Sequence, residues 1–295
     1  MDNRADSYNT KQKFSYRLFH SYFKQNPNFI NKWFKFFFWG FFPLLVRFRR
    51  GEGALLAINC SIILAYETNF SRILIQFFVS FATLAILYLF NDLHDAEYDL
   101  VNPKKNQDLV QFFLKNKRVL YFIMSLQTLF IFFIAFFYLS KFSAVSVFSV
   151  IIINTLYSCL IKGIPVLDIV WVGLWGSLYA ILPGNILSLQ SLILIGSMTS
   201  ISHIFQIWED RAVDCVNNTK TTIVFSPNMF ILLFFICCGI NFYVLSLNYT
   251  FLLSSTAFLP LIIHLFFPSP QKGWILSKIY FSVIWIFWLV NNYAF

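Results

Sequence analysis

Two short windows of the 295-residue chain, residues 91–99 and 209–214, hold seven of its 13 acidic side chains. In the first window Asn91, Asp95 and Asp99 recur every four residues, which places them on one face of a helix. Carboxylates stacked in this way repel one another, so we expect a compensating charge. A divalent cation would supply it, and oxygen ligands favour Mg²⁺. For either window alone, a solvated helix end is the alternative.

The second window repeats the pattern, with Asp210 and Asp214 one helical turn apart. Gln206, His203 and Thr199 continue the same polar face toward the membrane. His203 has two interpretations: it binds or deprotonates an acceptor substrate, or it is a buried polar residue satisfied by a neighbouring helix.

The composition requires that these residues be carried by membrane helices. Apolar residues make up 58% of the chain and charged residues 12%, against about 25% charged in soluble domains. The five cysteines lack metal-like spacing and no glycine-rich phosphate loop occurs, which argues against zinc and soluble nucleotide sites. Runs that are apolar on every face favour helices over a barrel. We predict nine spans, near residues 53–68, 71–91, 118–139, 142–160, 166–188, 190–207, 228–246, 248–267 and 273–293.

Basic residues predict the topology. Residues 1–52 carry ten Lys/Arg against three acids and lack a signal-peptide pattern, so we predict an interfacial segment on the cytoplasmic face, followed by a transmembrane domain over residues 53–295. Nineteen of the 22 Lys/Arg then lie inside, counting Arg118 at the membrane edge, together with both acidic windows. This predicts a multi-pass protein of the cell inner membrane. Anionic lipid headgroups account for the basic surplus without nucleic acid.

The two windows resemble the signatures of the UbiA superfamily of intramembrane prenyltransferases. The first signature, NDxxDxxxD at the end of the second helix, is matched by Asn91, Asp92, Asp95 and Asp99. The second, DxxxD followed by a basic residue and Thr, is matched by Asp210, Asp214, Lys220 and Thr221. The resemblance covers about residues 45–295 and implies an all-α bundle of nine transmembrane helices with a cytoplasm-facing active-site cavity.

A third element of the family, Tyr-Ser followed by Lys, is similar to Tyr157, Ser158 and Lys162. Anchoring at the membrane interface would explain Tyr157 and Lys162 equally well. Two loops depart from the family pattern: the Arg-Pro pair expected after Lys104 is missing, and so is the glycine between the second DxxxD and its basic-Thr element. These changes bear on the substrate more than on metal binding.

The resemblance implies two Mg²⁺ ions, one held by Asn91, Asp95 and Asp99 and the other by Asp210 and Asp214. Asp92 joins the first site as a ligand or as its support, so the expected catalytic carboxylates are those of Asp92, Asp95, Asp99, Asp210 and Asp214. The expected diphosphate-binding residues are Lys104, Tyr157, Lys162, Arg211 and Lys220. The arginines before the first span, Arg47, Arg49 and Arg50, either recognise an acceptor headgroup or mark the cytoplasmic flank.

The function implied is Mg²⁺-dependent ionisation of an isoprenyl diphosphate and transfer of the prenyl group to an aromatic or other lipophilic acceptor. Two alternatives within the resemblance are phosphoribosyl transfer to a polyprenyl phosphate and cyclisation of the prenyl chain. A transporter or channel is the alternative from another class, but it predicts acids along a membrane pathway, whereas these acids gather on one face. Acceptor identity, prenyl chain length and oligomeric state remain open.

Overall fold

The computed structural model describes residues 53–102, 105, 107–266 and 269–293, which contain helices and no strand. Residues 1–52, with their three membrane-flanking arginines, and Lys104 lie outside the described residues. The helices are α1 (Ala54–Tyr66), α2 (Phe70–Asp99), α3 (Gln107–Ile134), α4 (Lys141–Leu156), α5 (Leu167–Ala180), α6 (Leu189–Val216), α7 (Thr222–Phe225), α8 (Pro227–Ser246), α9 (Phe251–Ser255), α10 (Leu259–Phe266) and α11 (Pro270–Tyr293). One π-helical turn, Ala135–Leu139, continues α3, and another, Tyr157–Ile161, continues α4.

Among the described residues, six helical segments are long and apolar enough to cross a membrane, so the chain is an integral membrane protein. They are Phe70–Asp99, Leu109–Leu139, Lys141–Ile161, Leu189–Val216, Pro227–Ser246 and Pro270–Asn292. The other three predicted spans coincide with shorter apolar segments, Ala54–Tyr66, Leu167–Ala180 and Phe251–Phe266. The 13 residues of α1 rise only about 20 Å at 1.5 Å per residue, less than the ~30 Å hydrocarbon core. Nine spans therefore remain a prediction.

The short helices end for local reasons. Helix α5 stops at Ala180 because Pro183 lacks an amide hydrogen and Gly184 adopts a φ of 90°, which favours glycine. The segment Phe251–Phe266 is divided by a 3-10 turn, Thr256–Phe258, and Pro260 lies in the first turn of α10, where proline is tolerated. Turn chemistry thus shortens spans that hydropathy alone would extend.

The described residues belong to two compact units. One contains Ala85–Leu129, with the first acidic window at the end of α2. The other contains the described residues within Arg47–Leu84 and Phe130–Phe295, with the second acidic window at the end of α6. Each acidic window is therefore positioned by the packing of its own unit.

Small residues bring α5 and α6 into close contact in the second unit. A Cβ atom added at Gly173 would lie 3.0 Å from the carbonyl oxygen of Gly196, and the reverse substitution gives the same distance. The Ser177 hydroxyl bridges the same helices by donating to the Leu192 carbonyl at 2.8 Å. Such small-residue packing is typical of membrane helices, and here it fixes the helix that carries Asp210 and Asp214.

Buried polar side chains link further helices of this unit. The amide of Asn59 on α1 donates to the Tyr179 carbonyl at 2.9 Å, and the Trp288 indole on α11 donates to the Ser191 hydroxyl on α6 at 3.0 Å. Both Asn59 and Trp288 are fully buried. These bonds satisfy donors that would otherwise be exposed to hydrocarbon.

Candidate active site

The first acidic window occupies the last turns of α2, which continues past the predicted span to Asp99. The ammonium of Lys105 lies 2.9 Å from Asp99 Oδ2 and 3.9 Å from Asp92 Oδ1. Asp99 is buried and Asp92 is half-buried. One cation therefore lies within reach of two carboxylates that are seven residues apart on one helix face. Asn91 and Asp95 are half-buried in the same turns.

The segment after α2 holds Lys105 in place. The side-chain amide of Gln107 donates to the Asp99 carbonyl at 3.1 Å and to the Asn102 carbonyl at 3.0 Å. The backbone amide of Lys105 donates to the Asn102 carbonyl at 3.1 Å. The resemblance in sequence had indicated Lys104 in this loop, so Lys105 is a site residue that sequence reasoning missed. Its signal was only a second lysine in the expected loop.

The chemistry of the first window suits a hard divalent cation. Lys105 marks a position at which a positive charge meets both Asp92 and Asp99 oxygens. No group of three or more His, Cys, Asp or Glu side chains in the described part of the chain is arranged to hold a metal ion by itself. Mg²⁺ is commonly held by one or two carboxylates with water and substrate phosphate oxygens. The residues therefore fit a magnesium ion that is completed by a phosphorylated substrate.

The second acidic window lies at the end of α6, where Asp210 and Asp214 are half-buried one turn apart. The Thr221 hydroxyl donates to Asp214 Oδ2 at 3.1 Å, and the backbone amide of Thr219 donates to the Asp214 carbonyl at 2.9 Å. The segment that follows α6 is thus folded back onto Asp214. This places the basic-Thr element of the sequence beside the second carboxylate motif.

Tyr157 and His203 are in direct contact within the second unit. The Tyr157 hydroxyl lies 3.0 Å from His203 Nε2, and His203 Nδ1 lies 3.4 Å from Gln206 Oε1. If Nδ1 carries the proton and donates to Gln206, Nε2 accepts from the Tyr157 hydroxyl. His203 is buried, so this arrangement satisfies its ring. The contact joins the π-helical turn after α4 to the polar face of α6.

The cationic side chains of the second unit occupy different environments. Lys162, directly after the π-helical turn, is half-buried, whereas Arg211 and Lys220 are exposed. Gly163 packs against Thr219 and the backbone of Lys220, which brings the Lys162 and Lys220 segments together. The backbone segments that carry Lys162 and Lys220 are thus adjacent.

Neither a protein-family model nor a curated protein sequence matches the chain. Solved structures do match. A UbiA homolog from Archaeoglobus fulgidus bound to DMAPP and Mg²⁺ has a TM-score of 0.58 and 16% identity, and the match covers 83% of this chain and 96% of that one. The GPP and Mg²⁺ complex of a UbiA homolog from the same organism gives the same values. A further structure of a UbiA homolog from A. fulgidus has a TM-score of 0.60 and 16% identity, with coverage of 82% and 94%. The chain therefore has the fold of these UbiA homologs.

Proposed function

We propose that this protein is a UbiA-type, Mg²⁺-dependent prenyltransferase of the membrane. The observation that carries the proposal is the pair of carboxylate motifs at the ends of α2 and α6. Lys105 contacts the first motif, and Thr221 of the Lys220-Thr221 element donates to the second. The fold that carries both motifs is shared with UbiA homologs solved with DMAPP or GPP and Mg²⁺. The substrate is an isoprenyl diphosphate and the acceptor is aromatic or otherwise lipophilic.

In this proposal Asn91, Asp95 and Asp99 would bind one magnesium ion, with Asp92 as a further ligand or as support, and Asp210 with Asp214 would bind a second. When bound, these ions supply neutralisation of the charge that develops on the departing diphosphate. The half-buried position of Lys162 and the exposed position of Lys220 suit contacts with phosphate oxygens at the edge of the site. Lys105 contacts Asp99 and lies near Asp92, so a metal ion at this site would compete with its ammonium.

The chemistry that follows is substitution at the first carbon of the prenyl chain. The bond from that carbon to the diphosphate oxygen breaks with its electron pair on the diphosphate. A new bond forms between the acceptor and that carbon, and the released diphosphate takes up the proton that the acceptor loses. The Tyr157 hydroxyl donates to the diphosphate or to His203 Nε2, with which it is in contact.

We also propose that the N-terminus and both carboxylate motifs face the cytoplasm and that nine segments span the inner membrane, with the three short helices completing the set. The proposal is supported by the asymmetry of Lys and Arg in the sequence. Anionic headgroups would then meet the basic residues before the first span.

Assay of the purified protein with geranyl, farnesyl, geranylgeranyl and phosphoribosyl diphosphates tests the function. Diphosphate release is scored with and without lipophilic acceptors and with and without Mg²⁺. We expect Mg²⁺-dependent release from an isoprenyl diphosphate together with a prenylated acceptor. Release only from phosphoribosyl diphosphate would favour phosphoribosyl transfer instead. Prenyl cyclisation without an acceptor would favour a cyclase. No release from any of the four would refute it.

Two variants test the metal motifs separately. Asp95→Asn and Asp210→Asn should each abolish turnover and leave a folded protein, because each removes one carboxylate from a repelling cluster. Mg²⁺ with a non-hydrolysable prenyl diphosphate should raise the thermal midpoint of the parent and do little for either variant. Equal stabilisation of both variants and the parent would contradict the assignment.

A further inference from the structure

One carboxylate outside both acidic motifs, that of Asp168, is completely enclosed by protein. Asp168 lies in the first turn of α5 and has 0% of its surface exposed. Its Oδ2 accepts from the backbone amide of Thr222 at 2.8 Å. Its Oδ1 accepts from the Ile169 amide at 2.9 Å and from the Thr222 hydroxyl. A buried carboxylate is tolerated only when its oxygens are satisfied in this way.

Thr222 uses its hydroxyl twice and so joins two segments that are far apart in sequence. It donates to Asp168 and accepts from the backbone amide of Val166 at 2.8 Å. Val166 has a φ of 73°, in the left-handed region that a β-branched residue rarely adopts. Strained backbone of this kind persists where its surroundings fix it. The bond from Val166 to Thr222 is one such constraint.

The two joined segments carry the two lysines expected to bind diphosphate. Lys162 begins the first segment, and Gly163 follows with a φ of 89°. A Cβ atom at Gly163 would lie 3.3 Å from Thr219 Cγ2 and 3.7 Å from the backbone nitrogen of Lys220. The segments are therefore in contact at Gly163, next to Lys162, and are joined again a few residues further along, at Asp168 and Thr222.

The same connection extends to the second carboxylate motif. Thr221, the neighbour of Thr222, donates its hydroxyl to Asp214 Oδ2 at 3.1 Å. Both threonines are buried, Thr221 with 3% and Thr222 with 0% of its surface exposed. A single cluster thus joins the segments that carry Lys162 and Lys220 and contacts Asp214.

We propose that Asp168 and Thr222 are positioning residues that preorganise Lys162 and Lys220 for one diphosphate group. The proposal rests on the function proposed above. Two lysines on independently moving loops would each lose conformational freedom on binding, whereas segments already fastened together lose less. Directional hydrogen bonds to a buried carboxylate fix one backbone arrangement, which is what a two-point phosphate contact requires.

The test compares Thr222→Val with Thr222→Ser in the full-length protein. Valine matches the shape of threonine but removes the hydroxyl, whereas serine keeps it. Binding of a non-hydrolysable geranyl diphosphate with Mg²⁺ is measured, together with kcat and KM for geranyl diphosphate. We expect Thr222→Val to raise Kd and KM by about tenfold to a hundredfold, the range for a displaced site group. Thr222→Ser should restore values close to those of the parent.

A double-mutant cycle distinguishes positioning from general packing. Thr222→Val is combined with Lys162→Ala and Lys220→Ala. If Thr222 acts through these two lysines, Thr222→Val should change Kd by less than about twofold in the protein that lacks both of them. The reason is that the effects of coupled residues are not additive. The same loss of affinity in both backgrounds would overturn the positioning role.

A second variant keeps the proposal testable if Thr222→Val does not fold. Asp168→Asn keeps the side-chain shape but replaces one acceptor by a donor that faces the Thr222 amide. Asp168→Asn should raise Kd as Thr222→Val does, and it should have little effect on Kd when Lys162 and Lys220 are both replaced by alanine. Failure of the parent to bind the analogue would refute the proposed function itself. If the parent binds the analogue but the effects of Thr222→Val and Asp168→Asn simply add to those of the lysine substitutions, the positioning role alone would be refuted.

Discussion

Lys105 offers the sharpest test of whether the end of α2 is a metal site. Its ammonium lies 2.9 Å from Asp99 Oδ2, with side-chain exposures of 28% for Lys105 and 12% for Asp99. A metal ion that binds Asp99 must share or displace this contact. We therefore expect Lys105→Ala to destabilise the metal-free protein and to strengthen its affinity for Mg²⁺.

The size of both effects follows from the ion pair. A hydrogen bond to a charged group contributes about 1.5–3 kcal/mol net, so we take about 2 kcal/mol for the stability lost in Lys105→Ala. At about 2–4 °C per kcal/mol, the thermal midpoint should fall by about 4–8 °C. If Mg²⁺ must break the same pair in the parent, removing Lys105 should lower the Kd for Mg²⁺ by about 30-fold, at 1.4 kcal/mol per factor of ten.

Lys117 provides the matched control. It pairs with Glu97 at 3.2 Å, but the Glu97 side chain is 69% exposed. Exposed pairs contribute about 0.2–1 kcal/mol, so Lys117→Ala should shift the midpoint by no more than about 4 °C. Both variants remove one lysine near the same end of α2, so they alter the net charge equally.

The measurement is a thermal-unfolding series in detergent over a range of Mg²⁺ concentrations. Lys105→Ala should regain stability at lower Mg²⁺ than the parent, and Lys117→Ala should follow the parent. The same Mg²⁺ dependence in all three proteins would refute the placement of a metal at Asp99. An unchanged midpoint for metal-free Lys105→Ala would refute the stabilising ion pair itself.

Three further predictions concern packing, the contact between Tyr157 and His203, and topology. Gly173→Ala should lower the free energy of unfolding by about 1–3 kcal/mol through overpacking. Gly239→Ala should not, because no atom lies within 4 Å of the added Cβ. Thermal unfolding of both variants tests the difference. Tyr157→Phe should cost about 1–3 kcal/mol by removing the hydroxyl that lies 3.0 Å from His203 Nε2, measured against the parent by the same method. A Cys placed at Asn106 in a Cys-free background should be labelled only after the cells are permeabilised; labelling of intact cells would contradict the topology.

The sequence predicted the elements that carry the two acidic motifs because helix periodicity places their residues without tertiary information. Helices α2 and α6 both continue beyond the predicted spans, to Asp99 and Val216. Hydropathy marks where a helix leaves hydrocarbon, not where its backbone hydrogen bonding ends. The motifs therefore lie on rigid helical turns rather than in loops.

The sequence could not predict the contacts made by loops. The choice between Lys104 and Lys105 depends on the backbone path after α2, which is fixed by hydrogen bonds from Gln107 to two carbonyls. The Asp168–Thr222 contact joins residues 54 positions apart. Neither residue has a neighbour in the sequence that signals the other, so only the packing of α5 against the segment after α6 reveals the pair.

The environment of Asp168 also bears on the choice between an enzyme and an ion-coupled transporter. A transporter needs membrane acids that gain and lose ions or protons. Asp168, the acid with no exposed surface among the described residues, accepts bonds from two backbone amides and a hydroxyl. Donors of the protein thus occupy both of its oxygens, and none of its surface is open to water. A carboxylate that is enclosed and bonded in this way suits an architectural role rather than translocation. Because Asp168 joins the segments that carry Lys162 and Lys220, its position favours a site built to hold an anionic substrate.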